Sequence, residues 1–342
     1  NDQITWEKAR MLNLGIEIGL FNKIDIQADY FTEYRSNILM DRAQIPASMG
    51  LQSPLRANVG EASSNGYEIT LDYNDQLSKD LFVGFRGNFS YADSRFEVFE
   101  ELDYQSAGLP WRSRIGLNLS QPYGYIAERL FIDDADVANS PLQTFGEYMA
   151  GDIKYKDINN DGIIDINDEV PIGYPTTPKI IYGFGLSSKY KHFDFSFFFQ
   201  GSAKSSFFID AYNSSPFIDT YGGAIGNNAL LNAWANDHWS ENDRNLYAAW
   251  PRLSSQLIDN NNRNSTWWLR DGTFLRLKSV EIGYSIEDKA ASKLGLTSAR
   301  FYITGTNLLT FSKFKLWDVE MGGNGLGYPI QLGYNFGINL NL

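Results

Sequence analysis

The sequence predicts an all-β protein, an antiparallel transmembrane β-barrel in which about nine long strands alternate apolar with polar residues. Three observations carry this reading. The alternation recurs in segments spread from one end of the 342-residue chain to the other. No stretch approaches the roughly 20 consecutive apolar residues of a membrane helix. Short links alternate with long ones between the strands, as tight periplasmic turns alternate with extracellular loops in such barrels. Half-buried strands of a sandwich also alternate, but a sandwich has no reason to keep one end tight and the other elaborate.

The first strand is read from Leu12, Leu14, Ile16, Ile18 and Leu20, interleaved with Asn13, Gly15, Glu17 and Gly19. A second follows at once, with Ile24, Ile26, Ala28 and Tyr30 set against Asp25, Gln27 and Asp29. Tyr67, Ile69, Leu71 and Tyr73 mark the third; Leu81, Val83, Phe85, Phe89 and Tyr91 mark the fourth. The fifth covers about 178–188 (Tyr182, Phe184, Leu186) and the sixth about 193–201 (Phe193, Phe195, Phe197, Phe199). The seventh, about 274–286, slips register: Leu275 and Leu277 have the opposite parity to Val280, Ile282, Tyr284 and Ile286. A bulge or a change of surroundings is expected there. The eighth, about 300–310, holds Phe301 and Ile303, and the last alternates from Ile330 to Leu342.

By these boundaries the links run roughly 2, 31, 4, 85, 4, 72, 13 and 19 residues. With the C-terminus taken as periplasmic, the links at about 36–66, 93–177, 202–273 and 311–329 all become extracellular loops. Tyr123–Phe131 and Asp152–Lys156 are expected to form hairpins inside the second. Nine is odd, whereas closed single-chain bacterial barrels have even strand numbers. The first residues also lack an initiator Met, a basic n-region and an apolar h-region. The chain is therefore expected to be the C-terminal part of a larger barrel.

Composition narrows the function. Against 29 basic residues stand 41 acidic ones, a net charge of −12 that argues against nucleic-acid binding. There is no Cys, and the only histidines are His192 and His238. Thiolate metal sites, cysteine nucleophiles and a three-His zinc centre are thereby removed, and no enzyme is expected. Glu100-Glu101 and Asp133-Asp134 read as solvated loop charges, because adjacent residues of an extended segment point to opposite faces. The run Gly322–Gly327 lacks a following helix and reads as a flexible loop, and Asp259–Asn264 reads as a loop tip.

Two segments could bind something. Asp157, Asn159 and Asp161 stand at positions 1, 3 and 5 of a calcium-type loop; Gly162 makes the sharp turn, Ile163 can offer its carbonyl, and Asp165 and Asp168 occupy positions 9 and 12. Hard oxygens at that spacing suit a structural Ca²⁺, although position 12 is Asp and no amphipathic helices flank the loop. The same residues also make Asx turns that close a loop without metal. The third long link gathers Trp234, Trp239, Trp250, Trp267 and Trp268 with Phe207, Phe208, Tyr212, Phe217, Tyr221 and Tyr247. Aromatic faces among Asn and Asp suit stacking on a ligand or partner; packing of the loop against itself, or an interfacial aromatic girdle, is the alternative, and packing is the better reading because a long ordered loop needs a core of its own.

Six segments in order resemble the SusC/RagA family of TonB-linked (TonB-dependent) outer-membrane proteins of Bacteroidota. They are Trp6–Lys8 with Asn13–Phe21, Asp29–Leu39, Asn65–Glu68, Gly151–Asp165 (GDIKYKDINNDGIID), Trp268–Lys278 leading to Gly283–Tyr284, and Gly305–Leu308. The resemblance spans essentially the whole chain. It implies a 22-stranded barrel in the cell outer membrane, of which residues 1–342 would supply the last nine strands, with the N-terminal plug and TonB-contacting region absent. It further implies import of oligosaccharides or peptides beneath a SusD-like surface lipoprotein that closes as a lid, with TonB energising the plug. The family's assembly signal commonly ends in Phe, and Leu342 keeps the apolar parity without the ring. Two other readings are open from sequence: a SusC-like barrel acting as a structural or assembly partner without solute cargo, and a secreted soluble carbohydrate-binding β-protein with a calcium loop.

Overall fold

The computed structural model describes residues 4–45, 47–218, 228–287 and 295–341. One nine-stranded sheet dominates it, and every neighbouring pair is antiparallel. Its strands are β1 (Lys8–Leu20), β2 (Ile24–Asp41), β3 (Arg56–Gln76), β4 (Leu81–Val98), β5 (Ile180–Tyr190), β6 (Phe193–Ala203), β7 (Phe274–Glu287), β8 (Ser298–Ser312) and β9 (Gly333–Asn341). Their spatial order equals their chain order, so the sheet is an uninterrupted meander with β1 and β9 as its open edges.

All nine predicted strands are present. The register shift of β7 lies between Leu277 and Ser279 against β8, where the parity of Leu275 and Leu277 places it. Several boundaries move. The first long link shrinks from 36–66 to the segment between Asp41 and Arg56, because β2 and β3 run 18 and 21 residues. At roughly 3.3 Å per residue those strands outreach an apolar band about 25 Å tall even when tilted. Their upper parts therefore stand above the belt, where apolar residues such as Ile38, Leu39 and Met40 follow one another without period two and alternation stops reporting strand. The second link likewise begins only after Val98, and the third after Ala203.

Side-chain rows across the ladder explain the two faces. Ile16 pairs with Ala28, Ala28 with Ile69, and Ile69 with Phe89; farther along, Phe195 pairs with Ile282, Ile282 with Ile303, and Ile303 with Phe336. These residues are not buried by protein: Phe336 is 79% exposed and Ile282 53%. An apolar patch spanning nine strands is far larger than a soluble monomer presents to water, and it is ordinary for a surface solvated by lipid. No helix among the described residues is long and apolar enough to cross a membrane, so any crossing is made by strands. A row of Tyr30, Tyr67 and Tyr91 borders the apolar belt on the long-link side, with the Tyr67 and Tyr91 rings stacked at 5.3 Å. Tyrosine at that level suits a headgroup girdle.

The opposite face is polar. Glu17 pairs with Gln27, Gln27 with Thr70, and Thr70 with Asn88. Near the tight-turn end Arg300 bonds Asp194 (3.0 Å from Nε) and Glu281 (2.6 Å), and Thr304 donates to Glu281 (2.9 Å). This alternation of lipid-facing and lumen-facing rows is that of a transmembrane barrel wall.

Candidate functional site: the cap built by the long links

The three longest links converge at one end of the sheet into a single cap. Short strand pairs organise it: 123–124 with 170–171, 127–130 with 153–155, 142–143 in parallel with 163–164, and 206–208 with 269–271. The second of these is the hairpin expected from Tyr123–Phe131 and Asp152–Lys156. The cap's apolar core takes Leu130, Ile153, Tyr155 and Ile164 from the second link, Ile209, Trp234, Trp250 and Trp268 from the third, and Phe314 and Val319 from the last.

The tryptophans are that core. Trp234 is fully buried, and Trp239, Trp250 and Trp268 are buried to within a few per cent; Trp267 packs partly buried against them. Trp250 sits 4.8 Å from Trp234 and 4.9 Å from Trp268, ring centre to ring centre. In this structure the rings pack against one another inside the cap: a long ordered link needs an apolar core of its own, and these rings bury the largest area per residue. Gly151 shows how tight the packing is, since a Cβ there would lie 2.3 Å from the Trp239 ring, and its φ of +84° suits glycine. Tyr221 lies outside the described residues.

A buried polar network ties the second link to the third. Asp152, fully buried, accepts from Met149 N (2.9 Å) and Asn261 Nδ2 (2.8 Å) and forms an ion pair with Arg252 (2.8 Å). Burial pushes its carboxyl above the usual range, with the Arg252 charge opposing the shift. Asn260, also fully buried, donates to the Ile153 carbonyl (2.9 Å) and accepts from Gln143 Nε2 (2.6 Å). The Tyr155 hydroxyl donates to the Asn260 carbonyl (2.7 Å). Burial also raises the Tyr125 hydroxyl to about 12. The Asn-rich stretch is thus a buried staple and not the loop tip its composition suggests; buried amides of this kind are kept where every partner is satisfied.

The 157–168 loop closes on itself. Asp157 accepts from Asn160 N (2.6 Å) and Gly162 N (2.8 Å), Asn159 from Asp161 N (3.1 Å), Asp161 from Ile163 N (2.8 Å), and Asp165 from Asn167 N (2.8 Å). Asp168 is fully buried and accepts from Ile158 N (2.7 Å) and Asp165 N (2.9 Å). Gly162 adopts the left-handed turn predicted for it. These are Asx turns, in which the loop's side-chain oxygens accept from its own backbone amides. Among the described residues no three His, Cys, Asp or Glu side chains gather as a metal-holding group.

One cavity adjoins the tryptophan core, lined by Trp250, Arg252, Gln256, Asn261, Asn262 and Trp268 among others, with about 20 Å³ of open space. That room holds a water molecule and excludes a sugar or peptide. Asn262 Oδ1, buried without a hydrogen-bond partner among the described residues, is a ready acceptor for such a water. The cap thus offers a folded, rigid surface above the barrel wall.

Comparison with known proteins agrees with this architecture. The family described as TonB dependent receptor-like, beta-barrel matches residues 1–171. Two TonB-dependent receptors of Formosa agariphila are each 27% identical, over 94% and 98% of this chain and 31% and 34% of their own lengths. The TonB-dependent receptor SusC of Bacteroides thetaiotaomicron is 24% identical over 99% of this chain and 32% of its own. The chain therefore spans about a third of the length of these relatives. The RagAB peptide importer in its closed-closed state superposes with a TM-score of 0.68 at 24% identity, covering 99% of this chain and 36% of that one; its open-open state gives 0.69 at 20%, covering 99% and 35%. These similarities place the sheet in an outer-membrane barrel and set aside the secreted soluble reading. With half of its residues matched by the family and its nine-stranded meander superposing on a solved barrel of that kind, the chain belongs to the TonB-dependent receptor-like β-barrel family.

Proposed function

We propose that the chain is the C-terminal part of a SusC-like, TonB-dependent outer-membrane importer, completed by preceding strands and a plug. The observation that carries this is the asymmetry of the sheet: a nine-strand apolar belt with open edges, tight turns at one end and the three longest links merged into one cap at the other. The long-link end is then extracellular and the tight-turn end periplasmic. The polar wall around Arg300, Asp194 and Glu281 lines the lumen, where a plug would sit.

In this reading the cargo is an oligosaccharide or a peptide, and a SusD-like lipoprotein closes over the cap. Similarity to a peptide importer supports the second cargo class, and the first rests on the family resemblance seen in the sequence. The rigid cap supports the lid, since a preformed surface lowers the ordering cost of docking. No covalent chemistry is assigned to any residue. The test is uptake by cells expressing the full-length protein, using fluorescent oligosaccharide and peptide pools with and without a protonophore. Uptake that needs both the protein and the proton gradient supports the importer. Equal uptake in a deletion strain, with a disturbed envelope, would transfer the protein to a structural role.

A further inference from the structure

One row of the ladder leads from open lumen to covered wall. Glu17, Gln27, Thr70 and Asn88 stand on the polar face, and the row continues from Asn88 through Gly183 and Gln200 to Arg276 and Thr310. Arg276 therefore points where Glu17 points, into the bore. Glu17, Gln27 and Asn88 are exposed, whereas Arg276 is buried, as are Ser202 and Phe274, which pair two residues along on the same face.

The last link, 313–332, covers this stretch. Its Asp318 and Glu320 hold the Arg276 guanidinium. Phe314 meets Phe207 edge to face (5.2 Å) and Trp317 meets Trp234 the same way (6.4 Å). The Gly323 carbonyl accepts from Asp210 N (3.1 Å), and the Gln331 carbonyl accepts from Asn307 Nδ2 (2.9 Å) where the link rejoins the wall. Because β8 and β9 are neighbours, a tight turn would suffice to join them. The link instead reaches in to the level of Thr310, whose flanking residues Leu309 and Phe311 have the lipid-facing parity and are more than half exposed. Its inner end thus lies inside the bore at a height where the outer face still meets lipid.

We propose that the last link is an inward-folded strap that narrows the bore beneath the cap and selects cargo by width, so that linear chains pass and branched chains of the same mass do not. Arg276 is the positioning residue: with Asp318 and Glu320 it clasps the strap to the wall. Pore width is a general source of selectivity in membrane proteins, and barrel interiors are narrowed by loops in other cases. The inference rests on the importer reading given under the proposed function.

The experiment measures uptake by cells expressing the full-length protein, using mass-matched pairs of linear and branched fluorescent oligosaccharides and peptides. The parent is expected to favour the linear member of each pair. Replacing residues 314–331 by a short Gly-Ser turn, which leaves Arg276 facing water, should raise the branched-to-linear ratio at least about fivefold. A heat-modifiable band on gels confirms that this variant is folded. A second variant leaves the strap in place: these 342 residues contain no Cys, so E320C adds one thiol at the lumen wall and keeps the Asp318 contact. A bulky maleimide on it should slow the linear member at least about fivefold more than a small one. No preference in the parent, an unchanged ratio in the folded turn variant, or equal uptake with small and bulky adducts overturns the strap. Absence of uptake of every member by the parent overturns the importer reading itself, and the proposal with it.

Discussion

Arg276 of β7 meets Asp318 of the last long link through one guanidinium nitrogen, at 2.6 and 2.7 Å from the two carboxylate oxygens. Its Nε lies 2.6 Å from Glu320. Arg276 is 1% exposed, while the two acids keep partial access to solvent. Removing the acids strands a buried charge, whereas removing the arginine leaves carboxylates that water can reach. D318A/E320A is therefore expected to destabilise the cap by about 3 kcal/mol and R276M by about 1 kcal/mol. Thermal unfolding followed by tryptophan fluorescence checks the order; equal losses, or the reverse order, would contradict it.

Acid should weaken the cap through Asp136. Arg129 holds this carboxylate by a two-nitrogen contact (2.5 and 3.0 Å), and Ile132 N and Lys154 add to it. The Arg129 hydrogen bonds hold its pKa well below the usual carboxylate range. A depressed folded pKa means that the contribution is complete above the unfolded value, about 3.9, and is lost as pH falls through the folded one. D136N should cost about 1.5 to 3 kcal/mol at pH 7, with the difference from the parent shrinking below about pH 4. A difference that stays constant from pH 7 to pH 2 would refute the linkage.

Within the barrel wall, Tyr302 lies across Gly337 of the neighbouring strand, where a Cβ would stand 2.2 Å from the ring. G337L should block assembly, seen as loss of the heat-modifiable folded band. Y302A should restore it by vacating the space. If G337L folds normally, the ring does not occupy that place.

The cation expected at 157–168 is tested by protease protection of that loop. A bound Ca²⁺ would slow cleavage, and D157N/D161N would abolish the effect. Identical cleavage with Ca²⁺ and with chelator would leave the Asx turns as the whole explanation.

How much of this was legible follows from where the solvent changes. Inside the apolar belt each residue faces either lipid or lumen, so period two is enforced and even the Leu277 slip shows in the sequence. Above it, β2 and β3 continue through Ser36, Asn37 and Arg56 with no lipid on either side, and the period no longer marks the strand. The cap is harder still. Asn260 and Asn261 read as loop polarity because an amide looks the same in sequence whether it meets water or the Ile153 backbone. Trp234, Trp250 and Trp268 were visible as a cluster, but only the convergence of three links shows that they face one another. Arg276 stood inside the segment Trp268–Lys278 without any local sign that Asp318, 42 residues on, would be its partner.

The most direct test of the central claim is the intact mass of the protein purified from detergent-extracted outer membranes, with its companions. At about a third of its relatives' length, the account predicts a polypeptide roughly three times the 38.7 kDa of this chain, accompanied by a surface lipoprotein. A 38.7 kDa protein recovered alone from an aqueous extract would leave nine strands with two open edges and contradict the importer.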